Sequence, residues 1–275
     1  MKLGYLGPIG SNSERAALYV TGEENLLPLE SISDVIKSVN SGKIEYGIVP
    51  IENSTEGTVN ITVDSIIFDA DIYIQKEVIV PIEYDLFVKK GAKKEDVKKI
   101  ISHPQALAQC RNFLEENYPS AKTESVASTS LAAKFVSACD GSIAAVSAKR
   151  CADIYDVDII EENIQDSDEN YTEFVVISKN DTSKPIKGHK TSIAFSTANE
   201  PGTLFKVLSI LAIWDLNMTR IVSRPMRNRC GEYVFYIDIY GEYDEKDMCA
   251  AFERIENKTS FFKILGSYPI DDHRK

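Results

Sequence analysis

KLGYLGPIGSNSERAALYV, residues 2–20, joins a short apolar strand to a helix through a loop of glycine, serine and asparagine. The run KLGYL has the length and apolarity of a buried strand, and SERAALYV has the spacing of a helix with serine or asparagine as its N-cap. A strand followed at once by a helix is the unit from which α/β folds are built. This stretch therefore predicts an α/β protein.

The alternation of strands and helices continues to about residue 178. EYGIVPI (45–51) has the apolar run of a buried strand. The stretch IYIQKEVIVPIEYDLFVKK (72–90) is rich in β-forming residues and is interrupted by Pro81, which predicts two strands that cross between two lobes. Helices are predicted at 31–43, 93–99 and 104–117. Residues 1–178 are therefore expected to form a two-lobed α/β domain with a largely parallel sheet.

A second, smaller unit follows a linker. Residues 179–190 lack periodicity and carry Asp, Ser, Pro and Gly, which is typical of linkers. Residues 191–270 then run strand, helix, strand, strand, helix, strand, the βαββαβ order of a ferredoxin-like sandwich. The last five residues, DDHRK (271–275), are expected to be frayed. The chain is thus predicted to hold two domains.

The composition narrows the possible functions. The chain has 275 residues and a formal net charge of -11, so it lacks the basic stripe that nucleic acid or an anionic membrane surface requires. No secretory signal is apparent, and no apolar run approaches the length of about 20 residues that spans a membrane. The five scattered cysteines fit free thiols and favour neither disulfides nor a metal site. We expect a cytoplasmic protein without metal.

Hydroxyl and amide side chains cluster in three loops that follow predicted strands. They are Ser11, Asn12, Ser13, Asn53, Ser54, Ser128, Thr129 and Ser130. In open α/β sheets such loops form the ligand crevice, and helix N-termini favour anions there. Any one of these residues is also a preferred helix cap, so a purely structural role stays open. Together they favour an anion-binding cleft.

Five stretches, in this order, resemble the signature of the prephenate dehydratase family. They are GYLGPIGSNSERAA (4–17), VPIENSTEGTV (49–59), SHPQALAQC (102–110), STSLAA (128–133) and NIQDSDENYTEF (163–174). ANEPGTLFKVL (198–208) and LNMTRIVSRP (216–225) resemble an ACT domain, a regulatory module. The resemblance implies a two-lobed dehydratase domain at 1–178, similar to periplasmic binding proteins, and a ferredoxin-like ACT domain at 191–270.

The resemblance also implies an activity, the conversion of prephenate to phenylpyruvate, water and carbon dioxide in phenylalanine biosynthesis. It places the essential hydroxyl on Thr172 and implies no cofactor. The implied substrate-binding residues are Ser11, Asn53, Ser54, Gly57, Ser128, Thr129 and Phe174. Prephenate is a dianion that loses carbon dioxide and a hydroxyl group, so the site needs a hydrogen-bond donor at the departing oxygen and a cradle for two carboxylates.

For the second domain, the resemblance implies feedback control by L-phenylalanine bound between ACT domains of a homodimer or homotetramer. The implied effector residues are Asn199, Pro201, Gly202, Thr203, Leu204, Ser223, Arg224 and Pro225. Two residues in the matching stretches of this domain depart from the family. Thr203 stands in place of alanine, and Val222 in place of a glutamate, which leaves the identity of the effector open.

Glu173 is the departure nearest to the implied chemistry, because the family has Thr-Arg-Phe where this chain has Thr172-Glu173-Phe174. A carboxylate a few ångströms from a dianion repels it by roughly 1–4 kcal/mol. Glu173 either points to the opposite face of the strand, as alternation allows, or is ion-paired, or has changed the activity. The ion-pair partners considered are Arg15, Arg111 and Arg150.

Two other functions stay open. A non-aromatising prephenate decarboxylase would retain the cleft, although the retained Thr172 disfavours it. A catalytically inactive amino-acid-binding regulator would retain both domains, with Glu173 blocking turnover.

Overall fold

The computed structural model describes residues 2–181, 190–227, 231–241 and 246–274, and its strands form three sheets. The strands are β1 (Leu3–Leu6), β2 (Leu26–Leu29), β3 (Tyr46–Asn53), β4 (Gly57–Thr58), β5 (Tyr73–Pro81), β6 (Asp85–Lys89), β7 (Lys99–Ser102), β8 (Lys122–Ser125), β9 (Ile143–Ser147), β10 (Val157–Glu161), β11 (Tyr171–Ser178), β12 (Lys190–Thr197), β13 (Met218–Pro225), β14 (Tyr233–Tyr240), β15 (Phe262–Tyr268) and β16 (Ile270–Asp272). The α-helices are α1 (Asn12–Leu18), α2 (Ile32–Asn40), α3 (Asn60–Asp64), α4 (Pro104–Gln109), α5 (Arg111–Asn117), α6 (Thr129–Ala138), α7 (Cys151–Ile154), α8 (Thr203–Ile213) and α9 (Lys246–Glu256). Within the described residues, none of the helices has the length and apolarity needed to cross a bilayer.

The first lobe is built on the sheet β16-β5-β11-β3-β1-β2, with β4 beside β3. Strand β1 runs parallel to β2 and β3, whereas β11 runs antiparallel to both β3 and β5. The sheet is therefore largely parallel in strand direction, as predicted, because β1, β2, β3, β5 and β16 run one way, whereas β11 and the short β4 run against them. Strand β11 runs in the opposite direction because β5 carries the chain out of this lobe and β11 brings it back.

The second lobe is built on the sheet β10-β6-β9-β7-β8. The prediction of two strands within 72–90 is confirmed, because β5 ends at Pro81 and β6 begins at Asp85. Two predicted helices differ from the structure. The segment 93–99 forms only a single 3₁₀ turn, Lys94–Asp96, and 104–117 is divided at Cys110 into α4 and α5.

The C-terminal domain, by which we mean β12–β15 with α8 and α9, has the predicted βαββαβ order and the sheet order β13-β14-β12-β15. One face of the sheet, including Phe195 and Ile237, packs under the two helices. The opposite face, including Tyr236 and Tyr268, packs against the first lobe in a shared core. Residues 182–189 of the predicted linker lie outside the described residues, and Lys190 already belongs to β12.

The end of the chain returns to the first lobe. Ile270–Asp272 pairs in parallel with β5, and the ring of His273 stacks on Tyr19 with centroids 3.5 Å apart. Arg274 lies over the ring of Tyr171, 4.5 Å from its centroid. The prediction of a frayed tail was therefore wrong for residues 271–274. Strand β5 is otherwise the edge of its sheet, and an unpaired edge accepts a further strand.

Candidate active site

Thr172 and Asn53 are directly opposed on the neighbouring strands β11 and β3. The Asn53 side-chain amide donates a hydrogen bond of 2.9 Å to the Thr172 hydroxyl oxygen. Both residues are nearly buried, with exposed fractions of 8% and 9%. Among the described residues the Thr172 hydroxyl has no acceptor for its own proton in the protein, so that proton is available to a ligand. The structure therefore brings these two predicted site residues together.

The loop that follows β3 fixes the orientation of the Asn53 amide. Its carbonyl oxygen accepts from the backbone and the hydroxyl of Thr55, at 3.0 and 2.6 Å, and from the backbone N–H of Glu56 at 3.2 Å. With the oxygen occupied by the turn, only the NH₂ group is left to face Thr172. Gly57 closes this turn with a φ of +81°, the left-handed region that favours glycine.

The serines predicted for the cleft have two structural roles, because Ser11 and Ser128 cap helices and Ser54 connects two segments of the chain. Ser11 caps α1 and Ser128 caps α6, each accepting from the backbone N–H three residues ahead, at 3.2 and 3.1 Å. Thr129 begins α6 beside its cap. Ser54 donates to the Glu169 carbonyl and accepts from the Tyr171 N–H, so it ties the β3 loop to the start of β11.

Phe174 lies apart from the other predicted substrate-binding residues. Its exposed fraction is 2%, and its ring packs between the first sheet and α1 in a cluster that includes Tyr5 and Ala16. It shares a face of β11 with Thr172, as alternation along a strand requires. The structure thus gives Phe174 a core position, from which it supports the strand that carries Thr172.

Two side chains join the lobes across the cleft: Gln109, which the sequence analysis did not single out, and Ser130, which it placed in a cleft loop. Gln109 of α4 donates to the Thr55 hydroxyl at 2.9 Å and accepts from the Asn170 amide at 3.0 Å. Ser130 of α6 donates to the Ile9 carbonyl at 2.5 Å. Gln109 lies in the stretch 102–110 that resembles the family, which was the available signal for it.

A buried ion pair forms a second link between the lobes. Glu14 of α1 is almost fully buried and accepts from the Gly10 N–H at 2.8 Å, while Arg150 of the second lobe lies 3.2 Å from it. Burial, and then the neighbouring Glu14 carboxylate, raise the pKa of Tyr5, whose hydroxyl donates to Glu14. Arg150 also binds Glu23, so this residue, which was considered as a partner of Glu173, pairs elsewhere.

A cavity of about 890 Å³ opens next to these loops and does not include Thr172 in its lining. Of the predicted site residues only Ser54 lines it. The carboxylates of Glu83, Asp168 and Glu169 face it, with Arg274 as its one cation in the described lining. Such a lining repels a dianion, so charge disfavours this cavity as the place where a dianionic substrate reacts.

Glu173 lies on the face of β11 opposite to Thr172. Its carboxylate forms an ion pair with Arg220 of the C-terminal domain. The expectation that it turns from the Thr172 face is confirmed, whereas the partners considered were wrong. Arg15 and Arg111 instead pair with Glu83 and Glu115.

The C-terminal domain has its own cavity, of about 390 Å³, between the start of α8 and strand β14. Asn199, Gly202, Thr203 and Leu204 line it, as do Tyr233 and Phe235. Pro201 lies between two of these residues in the chain. Ser223 and Pro225 sit opposite Phe235 and Tyr233 in the sheet. Arg224 turns the other way and binds Asp64 and Asn60 of the first lobe.

Metal ligands and reactive thiols are not assembled in the described part of the chain. No group of three His, Cys, Asp or Glu side chains there has the geometry to hold a metal ion. Cys110 is buried, and burial raises the pKa of its thiol. A thiolate nucleophile at Cys110 is therefore disfavoured.

The protein has two α/β lobes that are joined by crossing strands, and a ferredoxin-like domain is docked on the first lobe. Polar loops meet between the lobes, which is typical of a protein with a cleft for a small molecule. A profile of the prephenate dehydratase family matches residues 3–182. A prephenate dehydratase of Lactococcus lactis subsp. lactis is 41% identical over 275 residues, 98% of each chain. The chain belongs to the prephenate dehydratase family.

Two solved structures share the whole architecture. Prephenate dehydratase of Arthrobacter aurescens in complex with L-Phe has a TM-score of 0.90 and 29% identity, covering 98% of this chain and 90% of that one. A protein described as a novel type of quorum-quenching acylase has a TM-score of 0.89 and 26% identity, covering 98% of both chains. One fold thus carries two described activities, so the fold by itself does not define the reaction.

Replacing Arg150 with methionine is expected to lower the free energy of unfolding by about 2–4 kcal/mol, because Glu14 would stay buried without its cation. The matched control is Arg111→Met, which removes an exposed pair and is expected to change stability by less than about 1 kcal/mol. Denaturant unfolding measures both. Equal losses in the two variants would contradict a structural role for the pair between the lobes.

Proposed function

We propose that this chain catalyses the decarboxylating dehydration of prephenate to phenylpyruvate. The observation that carries the proposal is the nearly buried Thr172 hydroxyl, which accepts from Asn53 and keeps its own proton for a ligand. The wild-type test is incubation of the purified protein with prephenate, with the product identified by its ultraviolet spectrum and mass. Phenylpyruvate is the expected product.

In the reaction, the C–C bond to the ring carboxylate breaks and its electrons move through the ring. The C–O bond then breaks, the hydroxyl leaves and the ring becomes aromatic. The departing oxygen gains negative charge, and a hydrogen bond from Thr172 stabilises it in the transition state. Asn53 makes this donor stronger, because a hydroxyl that accepts a hydrogen bond donates more strongly. Solvent supplies the proton that completes the water molecule.

The same site must hold two carboxylates in a protein whose net charge is -11. Helix α6 begins at Thr129 and presents free N–H groups and a partial positive charge at the cleft. The hydroxyl groups of Ser128 and Thr129 add donors without formal charge, whereas the Ser11 hydroxyl already donates to the Leu6 carbonyl at 3.2 Å. This proposed cradle is local, which suits a dianion that the protein as a whole repels.

The other candidate functions differ from this one in product. A non-aromatising decarboxylase gives carbon dioxide and a product that keeps the ring hydroxyl. An inactive regulator binds prephenate or an amino acid and gives no product. Mass analysis of the incubation separates all three, and a product other than phenylpyruvate would overturn the proposal.

Replacing Thr172 with valine is expected to lower kcat by about 10²–10³-fold, the typical effect of removing one hydrogen-bond donor to developing negative charge. Thr172→Ser is the matched control, because it keeps the hydroxyl, and is expected to retain most of the activity. Steady-state kinetics from the absorbance of phenylpyruvate measures both variants. Full activity of the valine variant would exclude Thr172 as the donor.

We further propose that the C-terminal domain is an ACT domain that binds L-phenylalanine in its 390 Å³ cavity. The support is the apolar and aromatic lining, with Leu204, Tyr233 and Phe235, next to the polar residues Asn199 and Thr203. Val222, which stands in place of the family glutamate, packs against the first-lobe core. Its side chain faces away from this cavity, so the substitution removes no acceptor from the lining.

L-phenylalanine is expected to inhibit turnover, and Asn199→Ala is expected to raise the half-inhibitory concentration about tenfold through the loss of one hydrogen bond to the amino acid. Asn117→Ala, at the exposed end of α5, is the matched control and is expected to leave inhibition unchanged. Initial rates at several phenylalanine concentrations measure the effect. Inhibition that is insensitive to Asn199 would place the effector elsewhere.

The expected homodimer or homotetramer is also a proposal, and its support is an outward apolar surface on the C-terminal domain. Phe205 and Ile213 of α8 are 72% and 77% exposed, and Ile221 projects from the edge strand β13. Such a surface with an open strand edge fits a second copy of the chain.

Sedimentation equilibrium is expected to give a dimer or a tetramer, and Ile213→Asp is expected to shift the equilibrium toward smaller species because it places a charge in an apolar contact. Phe135→Asp, at another exposed aromatic position on α6, is the control and is expected to leave the mass unchanged. A monomeric wild-type protein at all concentrations would contradict the proposed assembly.

A further inference from the structure

One guanidinium of the C-terminal domain contacts both strands of the proposed site. Arg220 of β13 lies 2.7 Å from the Glu52 carboxylate of β3 and forms an ion pair with Glu173 of β11. It also lies 2.9 Å from Asp238 of β14, in its own sheet. We call Arg220 and these three carboxylates the Arg220 bridge.

The residues that Arg220 holds are the chain neighbours of the site pair. Glu52 immediately precedes Asn53, Glu173 immediately follows Thr172, and Glu52 and Glu173 are themselves opposed in the register of β3 and β11. The register shifts directly after Glu173, so the ladder is irregular at this point. Where the hydrogen-bond ladder is interrupted, contacts between side chains determine how far apart the two strands lie.

The bridge is buried and fixed at the end that belongs to the C-terminal domain. The side chain of Arg220 is 8% exposed, and that of Asp238 is fully buried. Burial by itself lowers the pKa of Arg220, and the carboxylates, Asp238 before Glu173, more than reverse this effect. A charged guanidinium in this position attracts all three carboxylates and holds the two strands of the first lobe at a set distance.

The same strand leads to the cavity of the C-terminal domain. On β13, Ser223 lies opposite Phe235 of β14, and Phe235 lines that cavity. Arg220 is three residues earlier on the strand. A shift of β13 against β14 would therefore change both the cavity and the bridge.

We infer that Arg220 is a positioning residue for the proposed dehydration, which holds Asn53 and Thr172 in their catalytic arrangement through Glu52 and Glu173. The inference rests on the proposed function. The bridge neutralises the Glu173 carboxylate on the face away from the substrate, and it makes the geometry of the catalytic hydroxyl depend on the position of the C-terminal domain. The inhibition by an effector in that domain passes through the same four side chains.

The test is a set of folded full-length variants assayed with prephenate. Arg220→Met is expected to lower kcat about 10- to 100-fold, the effect of a displaced catalytic group, and to leave KM within about threefold. Arg220→Lys keeps one charge and is expected to fall between this variant and the wild type. The matched control is Arg227→Met, which removes another ion pair between the domains, with Asp69, and is expected to keep the wild-type kcat.

A double-mutant cycle separates positioning from general stability. If Arg220 acts through Thr172, then Thr172→Val with Arg220→Met is expected to be no slower than Thr172→Val alone. Independent, multiplicative losses would overturn the inference. Weaker inhibition by phenylalanine in Arg220→Met is expected as well, and unchanged inhibition would remove the regulatory part.

If Arg220→Met does not fold, the kcat and KM of Glu173→Gln test the inference instead. Positioning predicts a lower kcat with KM unchanged, because the bridge loses one anchor. A direct effect of the Glu173 charge on the substrate predicts instead a lower KM and a higher kcat, and that result would overturn the inference. A wild-type protein that forms no phenylpyruvate would refute the proposed function itself. If the wild type is active and a folded Glu173→Gln or Arg220→Met variant has the same kcat, only the role of Arg220 is refuted.

Discussion

The pairing of β11 between β3 and β5 is the constraint on which the rest of the structure depends. It brings the chain back from the second lobe, and it places Thr172 against Asn53 while turning Glu173 to the other side. One strand thus places the proposed catalytic hydroxyl and the contact with the C-terminal domain on opposite sides, since alternate side chains face opposite sides of a sheet. A shift of the register by one residue would exchange the two sides and direct the carboxylate at the cleft.

Several ion pairs join the C-terminal domain to the first lobe, although the chain carries a net charge of -11. Glu77 of β5 meets Lys190 of β12 at 2.7 Å, with both almost fully buried. Burial raises the pKa of Glu77 to about 7, even though Lys190 opposes the shift. Because the folded state then binds this proton more tightly than the unfolded state, the contribution of Glu77 to stability falls as the pH rises from its ordinary pKa toward 7. In such a buried pair the cost of removing both charges from water offsets much of their attraction.

Local features of the sequence predicted many of the strands, helices and caps. They did not predict which distant strands pair or which side chains meet between the domains. Pro81 marked the break between β5 and β6, and the serine caps at 11 and 128 were visible as patterns. The antiparallel return of β11 and the docking of residues 270–274 were not, because nothing local in DDHRK indicates an open strand edge elsewhere. The pairing of Glu173 with Arg220 joins residues 47 apart in different domains, which no spacing rule connects.

The sign of the charge at position 173 follows from what the residue faces. A carboxylate facing the substrate would repel a dianion, and the site already lies in an acidic protein. On the opposite face its neighbour is a buried guanidinium that already binds Asp238, and a cation at 173 would leave two like charges close together in a poorly solvated place. With Arg220 present, a glutamate is therefore the residue that this environment favours. The departure from the family's arginine thus fits the contact between the domains, and the proposed catalytic hydroxyl of Thr172, on the adjacent residue, faces the other side of the strand.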